Sequence, residues 1–256
     1  MKILCIGDVV GNIGTEALRK KIPELREKYS PDIIIVNGEN AGDNSSINLR
    51  NAESIFAFGA DAITGGNHSL RSRDMEELYE RECGVLRPAN LHPSAPGSGV
   101  YIIEKGKYRC AVVNLIGNVF LDMAYESPFL CAEKIISKLD CNTVIVDMHA
   151  EATSEKIALA RYLDGKVSLV FGTHTHVPTA DEEILPGGTA FISDIGMCGP
   201  IDSVLGVKTE VSTNFMITHL RSGMEIAKGP CKVQGIFAET DDATGKAVHI
   251  ERFDLR

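Results

Sequence analysis

No apolar run in this sequence approaches the ~20 residues that a bilayer span requires. The seven cysteines (5, 83, 110, 131, 141, 198 and 231) are odd in number, scattered and without a C-x-x-C pair, which argues against both a disulfide framework and a zinc knuckle. They read as reduced filler thiols. A strand pattern begins within two residues of Met1, leaving no room for a signal peptide, so a cytoplasmic location is expected. Positive charge is scarce as well: 26 Lys and Arg against 35 Asp and Glu give a net charge of −9. Nothing chain-wide attracts a phosphate backbone, and any phosphate chemistry must run through a local positive centre, which bound divalent metal would supply.

What the chain has is a recurrence. Five apolar runs of strand length each stop at a residue able to bind metal. Ile3 to Gly7 precedes Asp8, Ile33 to Gly38 precedes Glu39 and Asn40, and Ala62 to Gly66 precedes Asn67 and His68. Thr143 to Met148 precedes His149, and Ser168 to Thr173 precedes His174, Thr175 and His176. Short continuous apolar runs mark buried strands, and in open α/β sheets the ligand site lies beyond the carboxyl ends of the strands. These residues should therefore meet on one rim.

With 44% apolar residues in 256, the chain can bury one large core, and a single domain spanning residues 1–256 is expected. Helical spacing appears in Gly14 to Lys28, Leu49 to Phe58, Arg73 to Glu82, Phe129 to Leu139 and Ser154 to Leu163, each between strand-like runs. That is βαβ grammar. Gly99 to Glu104 and Arg109 to Leu115 read as a hairpin closed by Lys105 to Tyr108. After Asp181 the pattern suggests strands alone: Thr189 to Ile192, Thr213 to Leu220, Cys231 to Glu239 and Ala247 to Phe253, the last pair joined by a turn at Asp241 to Gly245. A mixed or antiparallel second sheet packing on the first is expected from them. The polar stretches Gly42 to Ser46 and Pro93 to Gly99 read as loops over the rim.

Carboxylates alongside imidazoles suit iron, manganese or zinc, and the absence of a Cys cluster argues against a soft-metal site. A carboxylate can bridge two ions, and Glu39, between Asp8 and Asn67, is the natural bridge. Two ions about 3.5–4 Å apart can activate water and hold the oxygens of a phosphoryl centre. Neutral Asn ligands suit such a site, because more carboxylates would over-neutralise ions that must attract an anion.

Each residue also has a plainer reading. Asp8 alone would be an ordinary turn or helix-start residue. His149 could cap or pack, although Thr153, Ser154 and Glu155 supply a helix start of their own and leave it free. His174 and His176 are two apart and cannot share a helix face, which favours ligation. Asp147, Glu151 and Asp194 read equally as partners that orient imidazoles or as solvated loop acids. Arg87 fits phosphate contact or a structural salt bridge. Gly11 to Gly14 and Gly187-Gly188 lack a full P-loop pattern and read as tight turns. His92, His219 and His249 have no partners in sequence and are set aside.

Taken together, Gly7-Asp8, Asn37 to Asn40, Gly66-Asn67-His68, His149 and Gly172 to His176 resemble the calcineurin-like metallophosphoesterases, whose pattern is D-x-H, G-D-x, G-N-H-[ED], H and G-H-x-H. Longer segments, among them Gly7 to Gly11, Asn37 to Ala41, Thr64 to His68, Arg87 to Asn90, His149 to Lys156, Gly172 to Asp181 and Asp194 to Pro200, resemble the bacterial YmdB-like branch as far as about Gly206. Val10 replaces the His of D-x-H and Glu39 replaces the bridging Asp. Both changes are normal in that branch, where Asn40 fills the gap left at Val10. Ser69-Leu70 stands where the branch has Thr-Trp, a departure that bears on substrate contacts near His68 and leaves the metal ligands intact.

The resemblance implies an α/β fold: a four-layer αββα sandwich of two mixed sheets flanked by helices. It implies one ion on Asp8, Glu39, Asn40 and His176 and a second on Glu39, Asn67, His149 and His174, with His68 left free as proton donor. The implied activity is a phosphodiesterase on small diesters such as 2′,3′-cyclic nucleotides, attacked by hydroxide held between two divalent ions, iron or manganese, in a homo-oligomer. No stable nucleic-acid complex and no membrane partner are expected. A phosphomonoesterase or nuclease on the same site, and a regulator that binds a nucleotide without turnover, are the alternatives; His68 speaks against the regulator, since binding alone needs no general acid.

Overall fold

The computed structural model of the chain describes residues 1–72, 75–81, 84–220 and 223–256. Both ends of the helical pattern from Arg73 to Glu82 lie outside the described residues, as does Cys83; the other cysteines are all free.

The chain runs β1 (Lys2–Ile6), β2 (Asp8–Val9), α1 (Gly11–Tyr29), β3 (Ile33–Asn37), α2 (Leu49–Ala57), β4 (Ala62–Thr64), α3 (Met75–Arg81), β5 (Val100–Lys105), β6 (Tyr108–Ile116) and α4 (Pro128–Ile136). It continues through β7 (Thr143–His149), α5 (Thr153–Leu163), β8 (Leu169–Thr173), β9 (Glu183–Ile184), β10 (Ala190–Ile192), β11 (Met197–Pro200), α6 (Thr209–Thr218), β12 (Cys231–Thr240) and β13 (Ala247–Leu255). One sheet has the order β2-β11-β12-β1-β3-β4 with β13 on β12, and the other has β5-β6-β7-β8-β10-β9.

Period-two alternation along the strands sorts the core into layers. In β1, Ile3 and Cys5 face a cluster between the sheets that includes Ile33, Ile35, Ile145, Leu169 and Phe171. Leu4 and Ile6 face the opposite way, packing with Leu18, Ile22 and Leu25 of α1 and Ile55 of α2. On the second sheet, Val144, Val146 and Val170 turn outward against Leu159, Ala160 and Leu163 of α5 and Cys131 and Ala132 of α4. Helices, sheet, sheet and helices make four layers, the αββα sandwich expected.

Strands β1, β3 and β4 are parallel neighbours, as are β6, β7, β8 and β10. Their carboxyl ends deliver the five ligand-bearing segments to one edge of the sandwich.

Two expectations about the last third of the chain are corrected. Thr213 to Leu220 is no strand: α6 covers Thr209–Thr218, with His219 in the left-handed cap position at φ 56°. The run of Val211, Thr213, Ile217 and Thr218 has strand-like composition, but β propensity is realised only where a strand partner exists. No strand pairs with it, and helical i,i+4 contacts form instead, with Thr218 Oγ1 donating to the Asn214 carbonyl and Phe215 edge-on to His219. The late strands also do not form a sheet of their own. β11, β12 and β13 extend the first sheet through the antiparallel β1·β12 pair, while β9 and β10 extend the second. Gly11 and Gly14, expected in a tight turn, open helix α1.

Candidate metal centre

All seven expected ligands reach the rim, and they do so as one hydrogen-bonded cluster. Asp8, Glu39 and His149 are fully or almost fully buried, with Asn40 close behind. His149 Nε2 lies 3.4 Å from Glu39 Oε1, 2.9 Å from Asn67 Oδ1 and 3.1 Å from His174 Nδ1. Ligand atoms of Glu39, His149 and His174 all fall within 4.8 Å of one another. On the other side of Glu39, Asn40 Nδ2 donates to Oε1 at 2.9 Å and sits 3.4 Å from His176 Nε2, which in turn is 3.6 Å from Asp8 Oδ1. Glu39 thus stands between the His149, His174 and Asn67 group and the Asn40, His176 and Asp8 group.

Three observations test whether these residues suit metal ions. Asp8 Oδ1 is buried and has no hydrogen-bond partner among the described residues, a costly state for a carboxylate oxygen unless something else satisfies it. Gly66 leaves a hollow: a Cβ there would overlap Glu39 Oε2 and both Nε2 and Cδ2 of His149. The donor set of two carboxylates, two amides and three imidazoles is the oxygen and nitrogen mixture that divalent iron, manganese and zinc accept. The residues fit.

The tautomer of His149 follows from its neighbours. Thr173 Oγ1 donates to Asp147 Oδ1 at 2.7 Å, so its single proton is committed, and His149 Nδ1 at 2.9 Å must donate to it. Nε2 is thereby the ring nitrogen turned toward Glu39 and Asn67, as second-sphere hydrogen bonds to metal-binding imidazoles commonly arrange. Asp147 is held in turn by Thr64 Oγ1 and Asn37 Nδ2. His176 Nδ1 is anchored by the Leu205 carbonyl at 3.0 Å, which leaves its Nε2 facing Asp8.

The field of this cluster favours a cation. Burial would lower the basicity of His149, but Glu39, Asp8 and Asp147 outweigh it and raise its pKa to about 9. Burial raises the Asp147 carboxyl to about 6, with His149 and the Thr64, Thr173 and Asn37 hydrogen bonds opposing. Asp8, despite burial, is pulled well below the usual carboxylate range by His176, His149 and the His174 N–H, and Glu39 is lowered by His149 and His68 against its own burial. Divalent ions answer the same field.

His68 stands apart from the other imidazoles. Its Nδ1 is 2.6 Å from Asn40 Oδ1 and 3.6 Å from Glu39 Oε1, and its backbone N–H donates to Glu39 Oε2 at 3.1 Å. Burial, first among the causes, lowers its pKa. The ring is tied to the rim through a ligand's amide oxygen.

The remaining readings are settled individually. Asp147 orients His149 through Thr173, and Glu151 pairs with His174 Nε2 at 3.0 Å. Asp194 touches no imidazole; it binds Lys156 and Thr175. Arg87 forms no salt bridge among the described residues: its guanidinium donates to the carbonyls of Pro88, Ala89, Ala95 and Pro96 and staples that loop. Helix α5 does start at Thr153, but its cap residue is Ala152 without a side-chain bond, and Glu155 instead accepts from the N–H groups of Asn118 and Val119. His92 packs edge-on to Tyr125 and His249 lies beside Phe237, both outside the cluster. Asn37, Thr64, Thr173 and Lys156 escaped the sequence reading. Only a polar residue inside an otherwise apolar strand run, as at Asn37, Thr64 and Asp147, could have flagged them.

The family model described as YmdB-like protein matches residues 4–253. The 2′,3′-cyclic-nucleotide 2′-phosphodiesterase of Bacillus subtilis is 42% identical over 254 residues, covering 98% of this chain and 96% of its own. A crystal structure titled as a novel phosphatase from Mycoplasma pneumoniae superposes with a TM-score of 0.93 at 36% identity, covering 100% of this chain and 93% of that one. The NAD nucleotidase of Haemophilus influenzae, at 14% identity and a TM-score of 0.65 over 99% of this chain and 55% of that one, shares the fold alone. The chain belongs to the YmdB-like branch of the calcineurin-like metallophosphoesterases.

Proposed function

We propose that this protein is a dinuclear-metal phosphodiesterase that hydrolyses small nucleotide diesters, with 2′,3′-cyclic nucleotides as its substrate class. The observation that carries the reading is the convergence of seven donor residues from five strand ends around Glu39, with Asp8 Oδ1 unpartnered among the described residues. The activity named for the Bacillus subtilis relative supports the substrate class.

In this reading Asp8, Glu39, Asn40 and His176 hold one ion, and Glu39, Asn67, His149 and His174 hold the other. When bound, the pair of ions, iron or manganese, supplies the positive charge that draws in a phosphodiester and acidifies the attacking water. Asp147 and Thr173 keep the His149 lone pair on the rim. His68 would act as an imidazolium: its Nδ1–H stays donated to Asn40 Oδ1, and the second proton, on Nε2, passes to the departing ribose oxygen, which leaves as a hydroxyl while the ring becomes neutral. The six described cysteines are free, which supports a reducing, cytoplasmic setting, and a homo-oligomer is the assembly we expect.

The test is metal analysis of anaerobically purified protein combined with turnover on 2′,3′-cyclic mononucleotides, nucleoside monophosphates and single-stranded RNA. About two metal equivalents and preference for the cyclic diester support the reading. Preference for monoesters or long RNA replaces it with a phosphomonoesterase or nuclease, and tight nucleotide binding without turnover replaces it with a regulator.

A further inference from the structure

The turn that carries His174 and His176 is held in an unusual shape. Both residues have left-handed backbones, at φ 98° and 62°, a region that non-glycine residues rarely enter unless their surroundings compel it. Between them sits Thr175, and both of its polar handles go to one atom. Its N–H and its hydroxyl donate to Asp194 Oδ2 at 3.2 and 2.8 Å.

Asp194 is itself fixed from every side. Lys156 Nζ donates to the same Oδ2 at 2.9 Å, and the Gly196 N–H donates to Oδ1 at 2.9 Å. The Asp194 main chain clamps the far end of the turn, with its N–H on Thr179 Oγ1 at 2.9 Å and its carbonyl accepting from the Thr179 N–H at 3.1 Å. Lys156 and Asp194 side chains are 0% and 1% exposed. A lysine is almost never buried this fully without a paired partner, and here the stem threads past Gly172, where a Cβ would lie 2.7 Å from Lys156 Cδ and would overlap the Ser193 carbonyl.

We propose that the buried Lys156–Asp194 pair positions both metal-binding histidines by locking Thr175 between them. Lys156 holds Asp194 stationary, Asp194 captures Thr175, and the captured Thr175 forces the flanking residues into the left-handed turn that aims His174 at one ion and His176 at the other. Neither Lys156 nor Asp194 touches a ligand side chain, so their effect is on geometry. The proposal rests on the metal-site reading above.

Two measurements test it on the full-length protein. Amide exchange of the metal-free protein reads the turn directly: Lys156→Met and Asp194→Asn should speed exchange at the Thr175 N–H at least about 10-fold, while amides of the β6–β7 ladder stay protected. Mn²⁺ titration then reads the consequence. Lost second-sphere contacts typically cost about 10–100-fold in metal affinity, and both equivalents should weaken together because one turn carries a ligand for each. Thr175→Val, which removes only the hydroxyl, should weaken Mn²⁺ binding at both sites, and Thr175→Ser should restore it. Unchanged Thr175 exchange in Lys156→Met, or wild-type Mn²⁺ affinity in Thr175→Val, would overturn the proposal; the valine variant decides it if the lysine variant does not fold. Wild-type protein that binds no Mn²⁺ would instead remove the metal-site reading, and the exchange result would still judge the clamp.

Discussion

Gly66→Ala is the smallest change that tests whether the hollow beside Glu39 exists for ions. The added methyl carbon would overlap Glu39 Oε2 and His149 Nε2, and ordinary contact requires at least 3.4 Å, so each of the two must retreat by more than about 1 Å. Neither can do so freely. Glu39 is pinned by the His68 N–H and Asn40 Nδ2, and His149 by Thr173. Metal–ligand distances tolerate only about ±0.2 Å, so a shift several times larger should remove at least the ion on His149. Overpacking of this kind also costs about 1–3 kcal/mol, which at 2–4 °C per kcal/mol for a domain of roughly this size lowers Tm by roughly 2–12 °C. Metal content by mass spectrometry and a melting curve measure both effects. Gly223→Ala serves as control, because a Cβ there meets nothing within 4 Å. Gly66→Ala with two metal equivalents and the melting temperature of the control would refute the geometry on which the site rests.

If Glu39 bridges, Glu39→Gln should fall below one metal equivalent, whereas Asp8→Asn should keep the ion on Asn67, His149 and His174; two full equivalents in Glu39→Gln exclude a bridging role. His68→Ala should retain its metals and lose about 10²–10⁴-fold in rate on a ribose leaving group but far less on a nitrophenyl diester, whose leaving group needs little protonation. Equal losses on both substrates would assign His68 to phosphate positioning, and loss of one metal equivalent would make it a ligand. With a net charge of −9, turnover of a cyclic mononucleotide should change little with salt; a steep log–log slope would indicate several phosphate contacts and favour a nuclease.

The candidate site was largely legible in the sequence because its residues sit where the pattern changes. A buried strand announces itself by an apolar run, and Asp8, Glu39, Asn67, His149 and His174 each follow directly or end such a run. The alternation of strands and helices in the first two thirds was legible for the same reason, since strand and helix periods differ, while the four-layer order was implied by the family resemblance. What escaped was whatever depended on a partner distant in sequence. Lys156 occupies a helix position that in isolation looks solvent-facing, and only Asp194, 38 residues later, makes its burial tolerable. Thr173 acquires a role only once β7 and β8 lie side by side and place it between Asp147 and His149. The late strands β11 to β13 carry no local sign of which sheet they will join, and α6, with no buried residue, lacks the amphipathic stripe by which a helix is recognised.

The balance of charge at the rim explains why amides replace acids among the proposed ligands. Two divalent ions held by Asp8 and Glu39 alone would keep an excess of two positive charges, since Asn40, Asn67 and the three neutral imidazoles add none. Asp147, the other buried acid at hand, faces Thr64, Thr173 and Asn37 and does not reach the ions' side of His149. A chain whose overall charge repels anions would thus confine its attraction to one cleft, where low dielectric strengthens it. A small diester with a single charge could be drawn in and its product released, while an extended polyanion would meet the repulsion of a chain of net charge −9. Charge distribution and ligand choice are thus consistent with the proposed substrate class, and the proposed clamp on Thr175 would act on the two histidines assigned to those ions.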